Sequence, residues 1–548
     1  MKPINHKRVY TTQSNEAEDG MLSGRLPLID PGPSKKRKNE PIEARSNQIA
    51  PLPEHPIKEA NDSKEEKYQV KSASEDAKVK SPTEAKKVVY EHRNKALNIT
   101  RMMVLVFSNY YFGYYLMVGG VLAPTLTELV YELPEEERNQ VAGNFGFFLS
   151  VGCIFSNMFS GMLTRYIGRV KLIIVLEICR IICSLIYRIE NLYVFYAMRF
   201  ASGFLGSFGL ALVPLIINEM IPSNLTGYGG CLAFTMITLF LIVGSIQSPL
   251  LGGKEGLQEH WQNVLTWPIA LSIVSIVLVL LTMFGMESPN YYYEHYADKE
   301  NVLKEKILAY AKRFYTDKSA EQYTNDFIAE KKRIREASKG KKITLKSMFG
   351  PKYRKQFLLG CALNMLQQLT GINFMMFFAT QLFDEISGNG AFMTIVLAVG
   401  MFVGSLTSVF VVNGGRRTGM LYSTMLLVIS HIILVFAISY EIALLASIGM
   451  FMFVWSFSLG FASIFAVYIV EILPPVGVGL AFSTQWVTSA IIGLAGAPML
   501  DLVGVEVIII VFIVCSVISC LIFWLVCKET SGKTEEEIRY AFTGEKAK

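Results

Sequence analysis

Charge is scarce in this chain of 548 residues: 18% are Asp, Glu, Lys or Arg, while 51% are hydrophobic. A soluble domain carries about 25% charged residues, so the chain reads as a membrane protein. Cysteine supplies no framework. Its eight copies (Cys153, Cys179, Cys183, Cys231, Cys361, Cys515, Cys520 and Cys527) all fall in apolar stretches, and none shows Cys-x-x-Cys spacing. They read as small apolar filler, so no disulfide framework and no zinc site are expected. Phosphate loops are also missing. Gly203, Gly206 and Gly209 sit inside an apolar run, where close helix packing explains them. Gly252-Gly253-Lys254 lacks the upstream glycine of a Walker motif. An ATP-driven pump is therefore not expected. There is no nucleophile–base or metal constellation, so neither enzyme activity nor a cofactor is expected. No apolar h-region lies near Met1, so the first transmembrane helix would itself target the chain to the membrane.

What is present is hydrophobic length. A span needs about 20 apolar residues. That ruler finds about twelve: near Met102–Pro124, Ala142–Leu163, Leu172–Ile189, Val194–Ile217, Gly230–Leu251 and Pro268–Gly285, then Gln356–Phe383, Met393–Val412, Met420–Ser439, Ile442–Val470, Gly479–Leu500 and Val505–Cys527. The expected fold is an all-α membrane protein with two six-helix bundles, residues 101–286 and 356–527. Residues 1–100 hold many Lys, Glu, Ser and Pro and few aromatics, and read as a disordered cytosolic tail. Residues 287–355 form a central cytosolic segment. Apolar Val302, Ile307, Leu308 and Tyr310 predict helices there, over Asn301–Phe314 and Ala320–Ala337. Residues 528–548 are a second cytosolic tail. The basic run Lys35–Lys38 reads as a lipid-surface contact or a solvated tail. The lipid bilayer is the expected surrounding, and no nucleic-acid partner is expected.

Short-loop Lys/Arg bias sets the orientation. Glu128, Glu132, Glu135, Glu136 and Glu137 follow the first span against a single Arg138, and place that loop outside. Arg165, Arg169 and Lys171 place the next loop inside. Alternation then puts Asp384, Glu385, Asp501 and Glu506 outside, Arg416 and Arg417 inside, and both termini in the cytosol. The sequons at Asn61, Asn98 and Asn224 fall on the cytosolic side and should carry no glycan.

Gln367-Gln368-Leu369-Thr370-Gly371-Ile372-Asn373 puts three amides into an apolar segment. Amides offer both donors and acceptors, which a polyhydroxylated ligand requires. Leaving one buried without a partner costs about 1–3 kcal/mol. Gly371 marks a point where the helix can break beside a binding site. The competing reading is helix–helix hydrogen bonding.

The two halves echo each other. Glu219-Met220-Ile221-Pro222 follows the fourth span and Glu471-Ile472-Leu473-Pro474 the tenth. Gly168-Arg169 follows the second span and Gly415-Arg416-Arg417 the eighth. Such repeats belong to transporters that hold substrate between their halves near mid-membrane. Arg169, Arg416 and Arg417 at helix ends near Glu219 and Glu471 suggest ion pairs that lock the halves together on the inside. Exposed pairs worth about 0–1 kcal/mol each break readily in a rocking cycle. Plain positive-inside anchoring is the alternative for the arginines.

These residues resemble the sugar porters of the major facilitator superfamily over Met102 to Ile538. Arg199 through Pro222 is similar to the family's fourth-span pattern, and Glu287-Ser288-Pro289 looks like its P-E-S-P-R. Gln367 to Asn373 looks like Q-Q-x-[ST]-G-I-N. Glu529 to Lys533 with Glu536-Glu537-Ile538 is similar to its terminal motif. The resemblance implies the major-facilitator fold and a small sugar or polyol as ligand. It implies sugar binding by Gln367, Gln368 and Asn373, an apolar face from Trp486 with Gln485 beside it, and an aromatic gate at Phe377 and Phe378. Arg169, Arg199, Glu219, Glu287, Arg416, Arg417 and Glu471 would belong to the gating machinery.

The chain departs from the family in places. Thr226-Gly227 and Val478-Gly479 replace the R-G that normally closes the two E-x-x-P loops. The Glu471–Trp486 segment is about one helical turn short. Arg165 occupies an acidic position. Gly460 to Ala466 lacks the prolines and tryptophan of the tenth span, which predicts a straighter helix there. Thr235 and Thr238 stand where a Gln is typical. Tyr115 follows Phe112-Gly113-Tyr114 where proton-driven members have Asp, and it does not titrate near neutral pH. That favours facilitated diffusion. Glu177 and Arg180, three apart within the third span, keep a proton symporter open; a self-neutralising structural pair is the plainer reading. His431 reads as a packed polar residue. A non-transporting sugar sensor or scaffold is the third possibility, motivated by the missing loop arginines and the long tail. The tail's partners are unknown.

Overall fold

The computed structural model describes residues 90–337, 344–387, 390–411, 414–533 and 535–543. Among them the chain is helical, and its one β-type contact is an antiparallel bridge between His92 and Tyr315. The first crossing is made of α1 (Lys95–Phe107) and α2 (Tyr110–Thr125), separated by a turn at Ser108–Asn109. The N-terminal bundle continues with α3 (Glu135–Ile167), α4 (Arg169–Ile186), α5 (Leu192–Met220) and α6 (Ser223–Ser245). The short α7 (Gln247–Leu250) and α8 (Gly253–Val264) lead to α9 (Trp267–Met283). Three peripheral helices follow, α10 (Pro289–Tyr296), α11 (Glu300–Phe314) and α12 (Asp317–Ala337), then α13 (Leu345–Met348). The second bundle holds α14 (Arg354–Gln368), α15 (Ile372–Ser387), α16 (Gly390–Val411), α17 (Arg416–Ser439), α18 (Ala443–Phe457) and α19 (Phe465–Ile472). It ends with α20 (Pro475–Leu525) and the peripheral α21 (Glu535–Thr543).

Eight stretches of the described chain are long and apolar enough to cross a membrane by length and composition. The other crossings escape that measure for visible reasons. The first is broken between α1 and α2. α4 carries Arg169, Lys171, Glu177 and Arg180. The seventh is split into α14 and α15. α20 is two crossings in one: straight, its 51 residues would run about 75 Å, against a hydrocarbon core of about 30 Å, and it turns at Gly504. The result is two six-helix bundles in one multi-pass membrane protein.

Local chemistry explains the breaks. Asn191 caps α5 by accepting from the N–H groups of Tyr193 and Val194, and Ser288 caps α10 by accepting from Tyr291. Gly371 has φ 89°, and a Cβ there would fall 2.3 Å from the Phe512 ring. Only glycine tolerates both, so the seventh crossing breaks where the sequence placed the break. The tenth crossing, expected to be straighter for its lack of prolines, runs as one helical span, Ala443–Ile472. Within it α18 passes into a π-helical turn, Ser458–Ile464, before α19. Side chains take up carbonyls of that turn. Ser463 Oγ donates to Ser458 O at 3.0 Å, and Gln367 of α14 donates to Phe461 O at 2.5 Å.

The bundles meet along α3–α20, α6–α16 and α2–α15. On the first seam Gly143, Ser150 and Asn157, seven residues apart on α3, face α20. A Cβ on Gly143 would lie 2.3 Å from Gly493 O, and one on Gly479 would lie 3.9 Å from Asn157 O. The seam is therefore in contact from Gly143 to Asn157. The peripheral helices have their own small core of Leu303, Ile307 and Ile328. They attach to the N-terminal bundle: Tyr310 donates to Met220 O at 2.5 Å, Arg101 to Arg313 O at 2.7 Å, and Arg313 to Phe284 O at 2.7 Å. The segment before α1 joins them, with Arg93 N donating to Phe314 O at 3.1 Å and Tyr90 to Asp326 at 2.9 Å. Residues 90–100, read from composition as part of the tail, thus belong to the folded body.

Candidate functional site

The α14–α15 break turns the amides inward. Asn373 Nδ2 donates to Gln368 Oε1 at 2.7 Å and to Ser489 Oγ of α20 at 2.7 Å. Gln368 and Asn373 are 2% and 5% exposed, so a free membrane-facing role is excluded. Gln367 points elsewhere in part. Its amide nitrogen is held by Phe461 O, while its Oε1 is buried without a partner among the described residues. One face of this Gln thus fastens α14 to the π-helical turn, as the helix–helix reading expected, and the other leaves an open acceptor. Ser489 Oγ sits 2.8 Å from Ser150 Oγ of α3, carrying the network into the other bundle.

Aromatic side chains close the site. Trp486 is buried one turn before Ser489 and meets Phe112 of α2 edge to face, with centroids 5.6 Å apart. Gln485 beside it is half-buried. Phe377 and Phe378 are buried on α15. Phe377 lies on Gly146, where a Cβ would come within 2.5 Å of its ring, and Phe378 lies on Gly496, where the distance would be 2.6 Å. The pair thus plugs the space between α3 and α20 beyond the amides. One opening, of about 520 Å³ beside Glu300 and Lys332, lies among the peripheral helices, and another, of about 190 Å³, lies where Tyr310 meets Glu219 at the end of α5. The amides themselves are buried.

The charged loops form two matching clasps. In the first, Arg169 grips Glu219 at 2.9 and 3.2 Å and Glu294 of α10 at 3.2 Å. Glu287 accepts from the N–H groups of Arg169, Val170 and Lys171 at 2.8, 3.2 and 3.1 Å, at the N-terminus of α4. A carboxylate is favourable there because the first turn's N–H groups lack helical partners. Burial pushes the Glu287 carboxyl above its ordinary range, against these three bonds. In the second clasp Arg416 meets Glu471 at 3.2 Å. Glu529 accepts from Arg416 N and Arg417 N at 2.8 and 3.0 Å, at the N-terminus of α17. Burial pushes the Glu529 carboxyl up, but the N–H groups of Ser531, Arg416, Thr530 and Arg417 outweigh it and hold it below its ordinary range. Gly168 and Gly415 precede the two helices with φ 98° and 121°. A Cβ on either would press on its glutamate, at 2.7 Å and 3.0 Å.

Two readings from sequence need correction. Each ion pair lies within one bundle, so the pairs do not lock the halves to each other as the loop motifs suggested. Among the described residues the Arg417 side chain joins no carboxylate; it donates to Phe523 O and Trp524 O and caps the end of α20. Arg199 also acts within its bundle, donating to Tyr115 O at 2.6 Å and Phe145 O at 3.0 Å. Glu177 is wired on every side: Ser108, Arg180 and Ser275 reach Oε1 at 3.0, 2.8 and 2.9 Å, and Tyr110 reaches Oε2 at 3.1 Å. Sequence reasoning missed Ser150, Ser489 and Glu294. Ser489, one turn from Trp486, was within reach of a helical-face argument; nothing in the sequence marks Ser150.

Two bundles closed over buried amides, with duplicated clasps on one face, define a major-facilitator transporter. The profile of the sugar (and other) transporter family matches residues 101–542. The chain belongs to that family. It is 29% identical over 415 residues to the facilitated glucose transporter member 2 of Mus musculus, covering 72% of this chain and 76% of the relative. It is 23% identical over 408 residues to hexose transporter 1 of Plasmodium falciparum, covering 70% and 79%. The fold is that of the xylose transporter XylE: a double-Trp variant superposes with TM-score 0.68 at 17% identity, over 82% of this chain and 99% of that one. The inward-open form of XylE from E. coli gives 0.65 at 18% identity, over 81% and 99%.

Proposed function

We propose that this protein carries a hexose or a similar small polyol across a membrane by alternating access, down its gradient. One observation carries the reading: the Gln368–Asn373 amide pair is enclosed at the break of a crossing helix, on the seam between the two bundles. Gln367 Oε1 adds an acceptor, and Trp486 with Gln485 adds an apolar wall with a polar edge. The related proteins named for glucose and hexose transport support the substrate class. Uniport is supported by Tyr115, whose hydroxyl is engaged by Ser184 at 2.8 Å. The closed hydrogen-bond shell of Glu177 supports it too, because a proton carrier must be reached from solvent. The plasma membrane is the proposed location, with both termini and the clasps on the cytosolic side, following the loop charges.

The test is uptake of labelled glucose into proteoliposomes, with fructose, inositol and other polyols as competitors. Saturable uptake is expected, with Gln368→Ala weakening affinity about 5–150-fold, the worth of about 1–3 kcal/mol of hydrogen bonding. No flux for any sugar from folded, inserted protein would refute the reading. An imposed pH gradient should leave the initial rate unchanged; acceleration by inward protons would replace uniport with symport.

A further inference from the structure

The amide network does not end at the binding site. Ser150 Oγ donates to Gly146 O at 2.9 Å, so its single proton is committed. The 2.8 Å contact with Ser489 therefore runs from Ser489 to Ser150. Ser489 in turn accepts from Asn373 at 2.7 Å. This gives a directed chain, Asn373 to Ser489 to Ser150 to Gly146 O. It crosses from one bundle to the other and ends on the residue against which Phe377 rests. Ser489 and Ser150 are both fully buried, so water does not replace a lost link. The α6–α16 seam also carries a hydroxyl pair, Thr238 and Ser405 at 3.0 Å. Among the described residues that pair bonds to no side-chain amide, so it serves as an internal control.

We propose that this chain couples sugar occupancy to the contact between the bundles, with Ser150 as its positioning residue on the far side. The proposal rests on reading Gln368 and Asn373 as the sugar site. Both protons of the Asn373 amide are spent inside the protein, so a sugar oxygen that accepts one displaces Gln368 or Ser489. Losing the Asn373 donor weakens the bond Ser489 makes to Ser150, because linked hydrogen bonds polarise one another. Sugar binding in one bundle thereby loosens the α3–α20 seam, and an empty carrier stays held. The loaded form reorients faster than the empty form.

Equilibrium exchange and zero-trans net flux of glucose, in proteoliposomes holding the full chain, separate the two forms. Exchange should outrun net flux in the wild type. Ser150→Ala should bring the ratio toward one, lowering it up to about fivefold, equivalent to about 1 kcal/mol. Sugar affinity should rise by no more than that same factor, because the bond that sugar must loosen is already gone. Ser489→Ala should lower the ratio in the same way, and the double variant should add nothing further. Ser405→Ala should leave the ratio alone. If Ser150→Ala disturbs insertion, Ser489→Ala and Ser150→Cys carry the test. A ratio unmoved in variants that bind sugar, a wild-type ratio of one, or additive single effects would each overturn the coupling. Sugar binding that survives Asn373→Ala would instead overturn the sugar site itself.

Discussion

Single residues hold this protein at strained or charged points, and their failure can be forecast. Gly371 combines a positive φ with contact against Phe512. Gly371→Ala should therefore lower stability by about 1–3 kcal/mol, read as a fall in the thermal midpoint of detergent-solubilised protein. The two clasp glutamates should respond to acid in opposite directions. Glu529 titrates below its ordinary range. Its contribution is complete above the unfolded carboxyl value of about 4.3 and is lost as pH falls through the depressed folded value. Glu529→Gln should then cost stability at pH 7 and lose that effect at strong acidity. Glu287 titrates above its range, so its protonation favours the folded state and its term falls as pH rises. Midpoints of the two variants across pH 7 to 3 check the sign; parallel profiles would refute the assignment.

At the scale of elements, the tenth crossing shows how far a sequence carries. The helices themselves were legible, because apolar length is a local property. The break at Gly371 was legible as well, since only glycine suits that backbone. The π-helical turn at Ser458–Ile464 was not. Its cause lies 94 positions away, in the Gln367 side chain that takes Phe461 O, and no window along the chain joins the two. Replacing that side chain tests the link. Gln367→Leu should leave a buried carbonyl without its donor and cost about 1–3 kcal/mol of stability, measured by thermal unfolding. A variant as stable as the parent would show that the turn forms without Gln367. The amides were visible as candidates, but their division of labour required the third dimension. Gln368 pairs with Asn373, whereas Gln367 is half anchor.

For the whole molecule, the proposed alternating access makes the halves the moving parts, and the contacts say which pieces would travel together. The peripheral helices are bonded to the N-terminal bundle through Met220, Phe284 and Arg101. Tyr90 and Asp326 belong to that same body, whereas Asn139 of α3 meets Asp501 of α20 across the seam at 3.3 Å. A disulfide formed in Tyr90→Cys/Asp326→Cys should thus leave uptake intact. One formed in Asn139→Cys/Asp501→Cys should stop it, and reductant should restore it. Uptake that survives the second cross-link would contradict rocking about the seam. The loop motifs announced paired charges but not which body each charge served, because a motif carries no address in space. The clasps have one more consequence. Glu287 and Glu529 each seize a helix by its main-chain N–H groups, and those groups are the same whatever amino acid bears them. A lock that reads only backbone is blind to spelling. The lock therefore asks nothing of the side chains at Val170 and Lys171, whereas Arg169 and Arg416 are held to their identity by their own ion pairs.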